Sequence, residues 1–179
     1  KLFSNNFGKE HLEIAVGSGT LLDIILKWRW FTKKSESHIT AFDYAERMLA
    51  GAIKRFSARS DIEFLLADAA KLPFANNTFD TANIANALHC LPEVSKSLNE
   101  VSRVLKRNGT LAGNALLYPK GSSILDKISN KINIWGMKKG ILHTPYNEEE
   151  IVAHLEESGF KIVYKKITGN CLDFIAQKN

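Results

Sequence analysis

The run His11 to Val16 ends in Gly17-Ser18-Gly19-Thr20, and Leu21, Leu22, Ile24, Ile25 and Leu26 continue at helical spacing. A strand, a glycine turn and a helix in that order bring backbone N–H groups and a helix N-terminus against a ligand. Glycine suits such a turn because a Cβ would block close approach and because positive φ is open to it. Read alone, the same turn also fits a tight connection that binds nothing. Glu13 favours a ligand, since a carboxyl inside an otherwise apolar run is costly to bury without a partner.

Two further acids stand where strands should end. Asp43 follows His38 to Phe42, where an acid can accept both hydroxyls of a ribose. It could also cap the helix that begins near Tyr44-Ala45-Glu46, and the two roles are compatible. Asp68 follows Ile62 to Leu66 and could accept from the amino group of adenine while the Ala69 N–H donates to the ring, or it could form an Asx-turn. A dinucleotide turn would carry a third glycine three residues after Gly19, but Leu22 stands there, which disfavours a nicotinamide cofactor.

His89 is the best candidate for a general base. It follows the fourth expected strand at the edge where open α/β sheets bind ligands, and imidazole titrates near neutrality. The alternative is a histidine that packs below the site. His143 and Tyr146 come next, either facing the same crevice or capping a loop. Trp135 and Met137, with the apolar face of residues 124–135, would form either a lid over an apolar or aromatic acceptor or an extra helix packed on the core.

These residues need a scaffold, and the chain alternates short β-branched runs with stretches of helical period. The expected strands are 11–16, 38–42, 62–66, 79–84, 109–117, 160–167 and 171–177. A helix over 93–106 carries Val94, Leu98, Val101 and Leu105 on one stripe and should end at Asn108-Gly109. Another begins after Asn147, its N-cap, with Glu148 to Glu150 at the positive end of the dipole, and stops at Gly159. Only Thr168-Gly169-Asn170 separates the last two strands, so an antiparallel pair should close the sheet. Residues 119–146 break the alternation and read as an inserted helical segment within a single domain spanning 1–179.

Length and 45% hydrophobic content suit one domain with a full core. No stretch is apolar and long enough for a membrane helix. The N-terminus lacks a starting Met and a secretion-signal pattern, and the chain is expected to be a trimmed piece. Cys90 and Cys171 form no metal-ligand cluster and read as free thiols, which suits a cytoplasmic protein. The net charge of +5 is spread over 27–34, 103–107, 127–139 and 161–166, reads as a solvated surface, and argues against a nucleic-acid partner.

Taken together, Glu13…Gly17-x-Gly19, Phe42-Asp43-x-x-x-x-Met48-Leu49, Ala67-Asp68-Ala69…Leu72-Pro73-Phe74…Phe79-Asp80, Ala87-Leu88-His89 and Glu100-Val101-x-Arg103-Val104-Leu105-Lys106-x-x-Gly109 closely resemble the class I S-adenosylmethionine (SAM)-dependent methyltransferases. Within them, the chain is similar to the branch that includes the ubiquinone/menaquinone-biosynthesis enzymes. The resemblance runs from about Glu10 to the end and implies an α/β, Rossmann-like, seven-stranded, mostly parallel sheet with helices on both faces. It implies SAM as cofactor, S-adenosylhomocysteine as product and a small-molecule acceptor. Glu13, Gly17 and Gly19 would then form the methionine and ribose side of the site, with Ala15 and Ser18 in the same turn. Asp43 would hold the ribose, with Tyr44 beside it; Met48 would lie against the nucleoside, Asp68 and Ala69 would hold adenine, and Ala85 would line the methionyl end. Ala15 stands where the family usually has its first glycine, Arg107-Asn108 replaces a common Pro-Gly, and Trp28 to Ser37 lengthens the link to the second strand. The family also places an N-terminal helix over the substrate, so part of the acceptor pocket is expected to lie outside this chain. The competing readings are an NAD(P)-dependent oxidoreductase and a non-catalytic protein of the SAM-binding fold.

Overall fold

The β-branched runs are strands in the structure: β1 (Glu10–Ile14), β2 (His38–Asp43), β3 (Ile62–Leu66), β4 (Phe79–Ile84), β5 (Leu105–Leu116), β6 (Phe160–Thr168) and β7 (Cys171–Lys178). The helices are α1 (Leu2–Asn5), α2 (Thr20–Phe31), α3 (Glu46–Arg55), α4 (Val94–Val104) and α5 (Glu148–Glu157), with a 3₁₀ turn at Leu88–Cys90. This computed structural model describes residues 1–118, 131, 134–136, 138 and 145–179. Most of the segment expected to be an inserted helix at 119–146 lies outside the described residues.

All seven strands share one sheet in the order β3-β2-β1-β4-β5-β7-β6. The first five in that order pair in parallel, and β7 pairs antiparallel with both β5 and β6. The chain builds outward from β1 to β3, then returns to place β4 on the other side of β1. That reversal opens a crevice at the carboxyl ends of β1 and β4, where ligands of open α/β sheets bind.

Alternation along the strands divides the core. Leu12 and Ile14 face the larger cluster, with Leu98, Val101 and Val104 of α4 and Ile151 and Leu155 of α5. Leu22 and Leu26 of α2 pack with Ile39, Ala41, Phe56 and Ile62 in a second cluster. The amphipathic stripe of α4 therefore buries as its spacing demands. Asn147 caps α5 in a capping box, its own N–H donating to the Glu150 carboxyl at 2.8 Å, and Gly159 follows at φ +83°.

Two expected boundaries shift for local reasons. β1 stops at Ile14, not residue 16, because Ala15 turns to φ +53°. Asn108, expected to terminate the α4 helix, does adopt φ +62° but lies inside β5. Val104 is already the last helical residue, Leu105 is extended, and the β4–β5 register slips between Phe79 and Thr81. The left-handed residue therefore serves an irregularity in the β4–β5 pairing, not a helix cap.

Candidate active site

At the carboxyl end of β1 the chain turns sharply through Ala15, Gly17 and Gly19, at φ +53°, +58° and +74°. The Val16 N–H donates to the Phe42 carbonyl at 2.9 Å and the Gly19 N–H to the Val16 carbonyl at 3.0 Å. A Cβ on Gly19 would stand 2.7 Å from Phe56 Cε2 and 3.3 Å from Ala52 Cβ, so glycine lets α2 start close against α3. Ala15 occupies a left-handed conformation that costs an L-residue about 1 kcal/mol or more, and the sharp turn persists despite it.

Asp43, the buried last residue of β2, ties this turn to the next helix. Its Oδ2 accepts from the Gly17 N–H at 2.7 Å and its Oδ1 from the Ala45 N–H at 2.8 Å. Asp43 therefore closes an Asx-turn two residues ahead of Ala45, the N-cap of α3, and does not itself cap the helix as expected; each of its carboxylate oxygens retains a second acceptor direction for a ligand. Met48 on α3 approaches the turn: a Cβ on Gly17 would lie 3.6 Å from Met48 Cε, and half of Met48 stays exposed. Tyr44 is largely exposed beside Asp43, and Ser18 Oγ lies 3.1 Å from Thr20 Oγ1.

Asp68 stands just beyond β3, where the Ala67 N–H still donates to the Asp43 carbonyl. Its Oδ1 accepts from the Ala70 N–H at 2.9 Å, which is the Asx-turn, while Oδ2 accepts no hydrogen bond among the described residues. Asp68 is exposed and Ala69 buried, so the acid faces outward from a fixed turn. The following loop is clamped from α4. The Leu72 N–H donates to Glu100 Oε2 at 2.8 Å, and Arg103 donates to the carbonyls of Leu72 at 3.0 Å and Phe74 at 2.7 Å. The Arg103 guanidinium beside Glu100 holds that carboxyl below its ordinary range. The motif Glu100-x-x-Arg103 was visible in the sequence, but its task as a loop clamp was not.

Glu13 does not stand with the exposed acids. It is buried, and its Oε2 accepts from His11 Nε2 at 3.1 Å and from Asn83 Nδ2 at 3.2 Å. His11 and Glu13 share one face of β1 two residues apart, and the β1–β4 register sets Asn83 opposite Glu13 and Thr81 opposite His11. With Nε2 donating to Glu13, His11 Nδ1 accepts from the Thr81 hydroxyl at 2.7 Å. Asn6 extends the cluster to the Ala82 carbonyl and Asn83, while Phe7 stacks on His11 with centroids 3.7 Å apart. Burial pushes the His11 imidazole below its ordinary value, against the opposing pull of Glu13. No sequence spacing announces this cluster, since Asn83 reaches Glu13, and Asn6 reaches Asn83, only through the fold.

Across the crevice, Ala85 follows the end of β4. The Asn86 N–H donates to Asn114 Oδ1 at 2.6 Å and Asn114 Nδ2 donates back to Asn86 Oδ1 at 2.8 Å, pinning the ends of β4 and β5 together. His89 lies in the 3₁₀ turn that follows. Burial lowers its pKa, and its Nδ1 is buried without a hydrogen-bond partner among the described residues. Tyr146 is buried beside β5, exchanging backbone hydrogen bonds with Leu116 and Tyr118; burial, then Glu150 and Cys90, push its phenol upward. Trp135 is exposed; Met137, its expected lid partner, and His143, expected with Tyr146 to face the crevice or cap a loop, lie outside the described residues.

The fold thus gathers the glycine turn, Asp43, Met48, Asp68 with Ala69, Ala85 and His89 onto the carboxyl edge, and sets the Glu13 carboxyl beneath it. A polar turn without Cβ atoms at Gly17 and Gly19, a buried acid at the end of β2 and an outward acid over an ordered loop fit the adenosine and methionyl parts of SAM.

Comparison with known proteins agrees. Residues 12–113 match the family model described as "Methyltransferase domain". The demethylmenaquinone methyltransferase of Thermotoga maritima is 29% identical over 175 residues, covering 87% of this chain and 72% of the relative. The ubiquinone/menaquinone biosynthesis C-methyltransferase of Rickettsia prowazekii is 36% identical over 109 residues, covering 58% of this chain. The chain spans 43% of that relative and 40% of the Clavibacter sepedonicus demethylmenaquinone methyltransferase, which is 34% identical over 104 residues and covers 58% of this chain. Among solved structures, a SAM-dependent methyltransferase of Methanosarcina mazei superposes with TM-score 0.76 at 21% identity, covering 99% of this chain and 96% of that one. Another from Aquifex aeolicus gives 0.73 at 22% identity, covering 97% and 84%. The family match over most of the sheet, on a crevice with this geometry, shows that the chain belongs to the SAM-dependent methyltransferases of Rossmann-like fold.

Proposed function

We propose that this chain forms one catalytic domain that transfers a methyl group from SAM to a small apolar or aromatic acceptor in the cytoplasm, a quinol-like ring being the class its relatives' names suggest. The observation that carries the reading is the pair of bonds from Asp43, which fixes the Gly17 N–H and the start of α3 around one carboxylate at the switch of strand order. Two free thiols, Cys90 and Cys171, suit the compartment.

When bound, SAM supplies an electrophilic methyl group on a sulfonium. The protein's task is then to orient the acceptor and keep water out. In this reading Asp43 holds the ribose hydroxyls with Tyr44 beside it, Met48 covers the nucleoside, and Asp68 with the Ala69 N–H holds adenine. The backbone of Ala15 to Gly19, Ser18 included, and Ala85 line the methionyl end, and Glu13 supports the turn from below through its bonds to His11 and Asn83. His89 takes the proton of an acceptor hydroxyl. Its lowered pKa keeps the imidazole neutral at pH 7, and an unpaired buried nitrogen suits a group whose partner arrives with the acceptor.

The test is transfer of labelled methyl from SAM to soluble hydroxynaphthoquinol and phenol acceptors. Transfer should occur, and His89→Gln should lower kcat by about 10²-fold with cofactor affinity unchanged. No transfer to any acceptor, together with no binding of S-adenosylhomocysteine, would overturn the proposal.

A further inference from the structure

A cavity of about 910 Å³ opens away from the crevice, at the amino ends of β1, β2 and β3, where Lys9, His38 and Asp61 stand. Arg29 near the end of α2, Lys33 and Lys34 in the α2–β2 link, and Arg59 complete its charged wall, with Glu36. The two carboxylates of this wall both serve Arg59. Asp61 takes both arms of the Arg59 guanidinium, at 2.7 and 2.5 Å, and Glu36 adds its charge to the pull of Asp61 on that group. His38 turns to Glu10 at 3.1 Å. Among the described residues, Lys9, Arg29, Lys33 and Lys34 have no carboxylate partner.

Arg29 is only 6% exposed. It donates to the Ser4 carbonyl at 2.9 Å and the Ser35 carbonyl at 2.6 Å and lies over the Phe7 ring at 4.2 Å. Dipoles and a ring face are all that balance its charge, which burial opposes, so an anion arriving in the cavity meets a cation that the fold leaves without a counter-charge. Lys33 stands at φ +52°, where glycine is the usual residue. Its N–H donates to the Trp30 carbonyl at 3.1 Å, and the Lys34 N–H donates to the Arg29 carbonyl at 3.0 Å. The backbone therefore closes the end of α2 by itself, and both ammonium groups remain for the cavity. Trp30, 83% exposed, adds an indole to the same wall, and Leu26 and Ile39 add apolar surface.

We propose that this cavity binds a nucleoside di- or triphosphate, its phosphates meeting Lys9, Lys33 and Lys34 beside the buried charge of Arg29 and its base lying against Trp30. The donor set selects phosphate over carboxylate. A carboxylate is held best by a free guanidinium fork, but Arg29 spends its fork on carbonyls and Arg59 on Asp61, so ammonium point charges remain. A row of phosphates spreads its charge over many oxygens and can meet several such points at once. The volume falls within the range of about 300–1,000 Å³ usual for small-ligand sites. A nucleic-acid strand fits less well, since one exposed ring beside one cavity is not a series of stacking platforms along a basic groove. The inference does not rest on methyl transfer. Lys9 and the glycine turn lie at opposite ends of β1, whose five residues span about 17 Å, so this site is separate from the one assigned to SAM.

Calorimetric titration of the whole protein with ADP, AMP and inorganic diphosphate, in buffer free of divalent cations, tests the proposal. ADP should bind at least about tenfold more tightly than AMP, which lacks the second phosphate, and than diphosphate, which lacks the ring. Its affinity should fall with added salt. The variants K33E/K34E and W30S should each lose about tenfold or more in ADP affinity with unchanged Tm, since the replaced side chains are exposed. Saturating S-adenosylhomocysteine should leave ADP binding unaltered. No ADP binding, AMP or diphosphate as tight as ADP, variants that bind like the parent, displacement of ADP by S-adenosylhomocysteine, or retention by an RNA oligonucleotide without ADP binding would each overturn it.

Discussion

Replacing Gly19 by alanine probes the closest approach in the site. Gly19 lies at φ +74°, and the added methyl would stand 2.7 Å from Phe56 Cε2 and 3.3 Å from Ala52 Cβ. Phe56 cannot swing away cheaply, because it is buried in the second core cluster and stacks on Phe64 with centroids 5.8 Å apart. A left-handed L-residue costs about 1 kcal/mol or more, overpacking about 1–3 kcal/mol, and the stiffer unfolded chain returns about 0.4–1 kcal/mol. The net is a loss of about 2–3 kcal/mol, which for a domain of this size lowers Tm by about 5–10 °C. Gly17→Ala is the control: φ is +58°, but the nearest atom, Met48 Cε, is 3.6 Å away, so only the conformational cost applies and the loss should stay near 1 kcal/mol or less. Urea unfolding of both variants, with Phe56→Leu to complete a double-mutant cycle, measures the difference. Should Gly19→Ala cost no more than Gly17→Ala, or show no coupling to Phe56→Leu, the close-packing argument is wrong.

Arg103→Ala should free the Leu72 to Phe74 loop and weaken S-adenosylhomocysteine binding by about tenfold in calorimetry, about 1.4 kcal/mol; unchanged affinity would mean that the clamp does not serve the site. Acid should destabilise the fold in two stages. His11 and His89 have lowered pKa values in the fold, so the unfolded chain binds protons that the fold refuses, and stability falls as pH drops below about 6.5. His11→Gln should flatten that first slope in thermal melts between pH 7 and 5; an unaltered slope would contradict the assignment. The carboxyls of Asp80 and Glu100, also lowered, stabilise above the unfolded carboxyl range and lose that contribution only as pH falls through their folded values, so this second loss belongs at lower pH.

The sheet could be read from the chain because its information is local. Periodicity alone separates β6 from α5, and Thr168-Gly169-Asn170 is too short for anything but a hairpin. The placement of Asp43 and Asp68 at strand ends followed from the same local pattern. What escaped the sequence depends on contacts between distant segments. The partners of Glu13 are not legible in the chain, because only the β1–β4 register sets Asn83 beside its carboxyl, while His11 meets it from two residues back on the same strand. Arg103 reaches Leu72 and Phe74 across a loop whose path no spacing reveals. Asn108 announced a left-handed residue correctly, but not that it would fall in a strand. The basic residues of 27–34 read as ordinary solvated surface; the fold instead buries Arg29 and sets it with Lys33 and Lys34 in the wall of a cavity.

Calorimetric titration of S-adenosylhomocysteine into the parent protein, Asp43→Asn and Asp68→Ala tests the central assignment most directly. The parent should bind one equivalent, and Asp43→Asn, which removes the charge and disturbs the acceptor shared by Gly17 and Ala45, should bind at least about tenfold more weakly, with Asp68→Ala also weakened. Binding of equal strength to all three proteins, or binding of NADH in place of S-adenosylhomocysteine, would contradict the site.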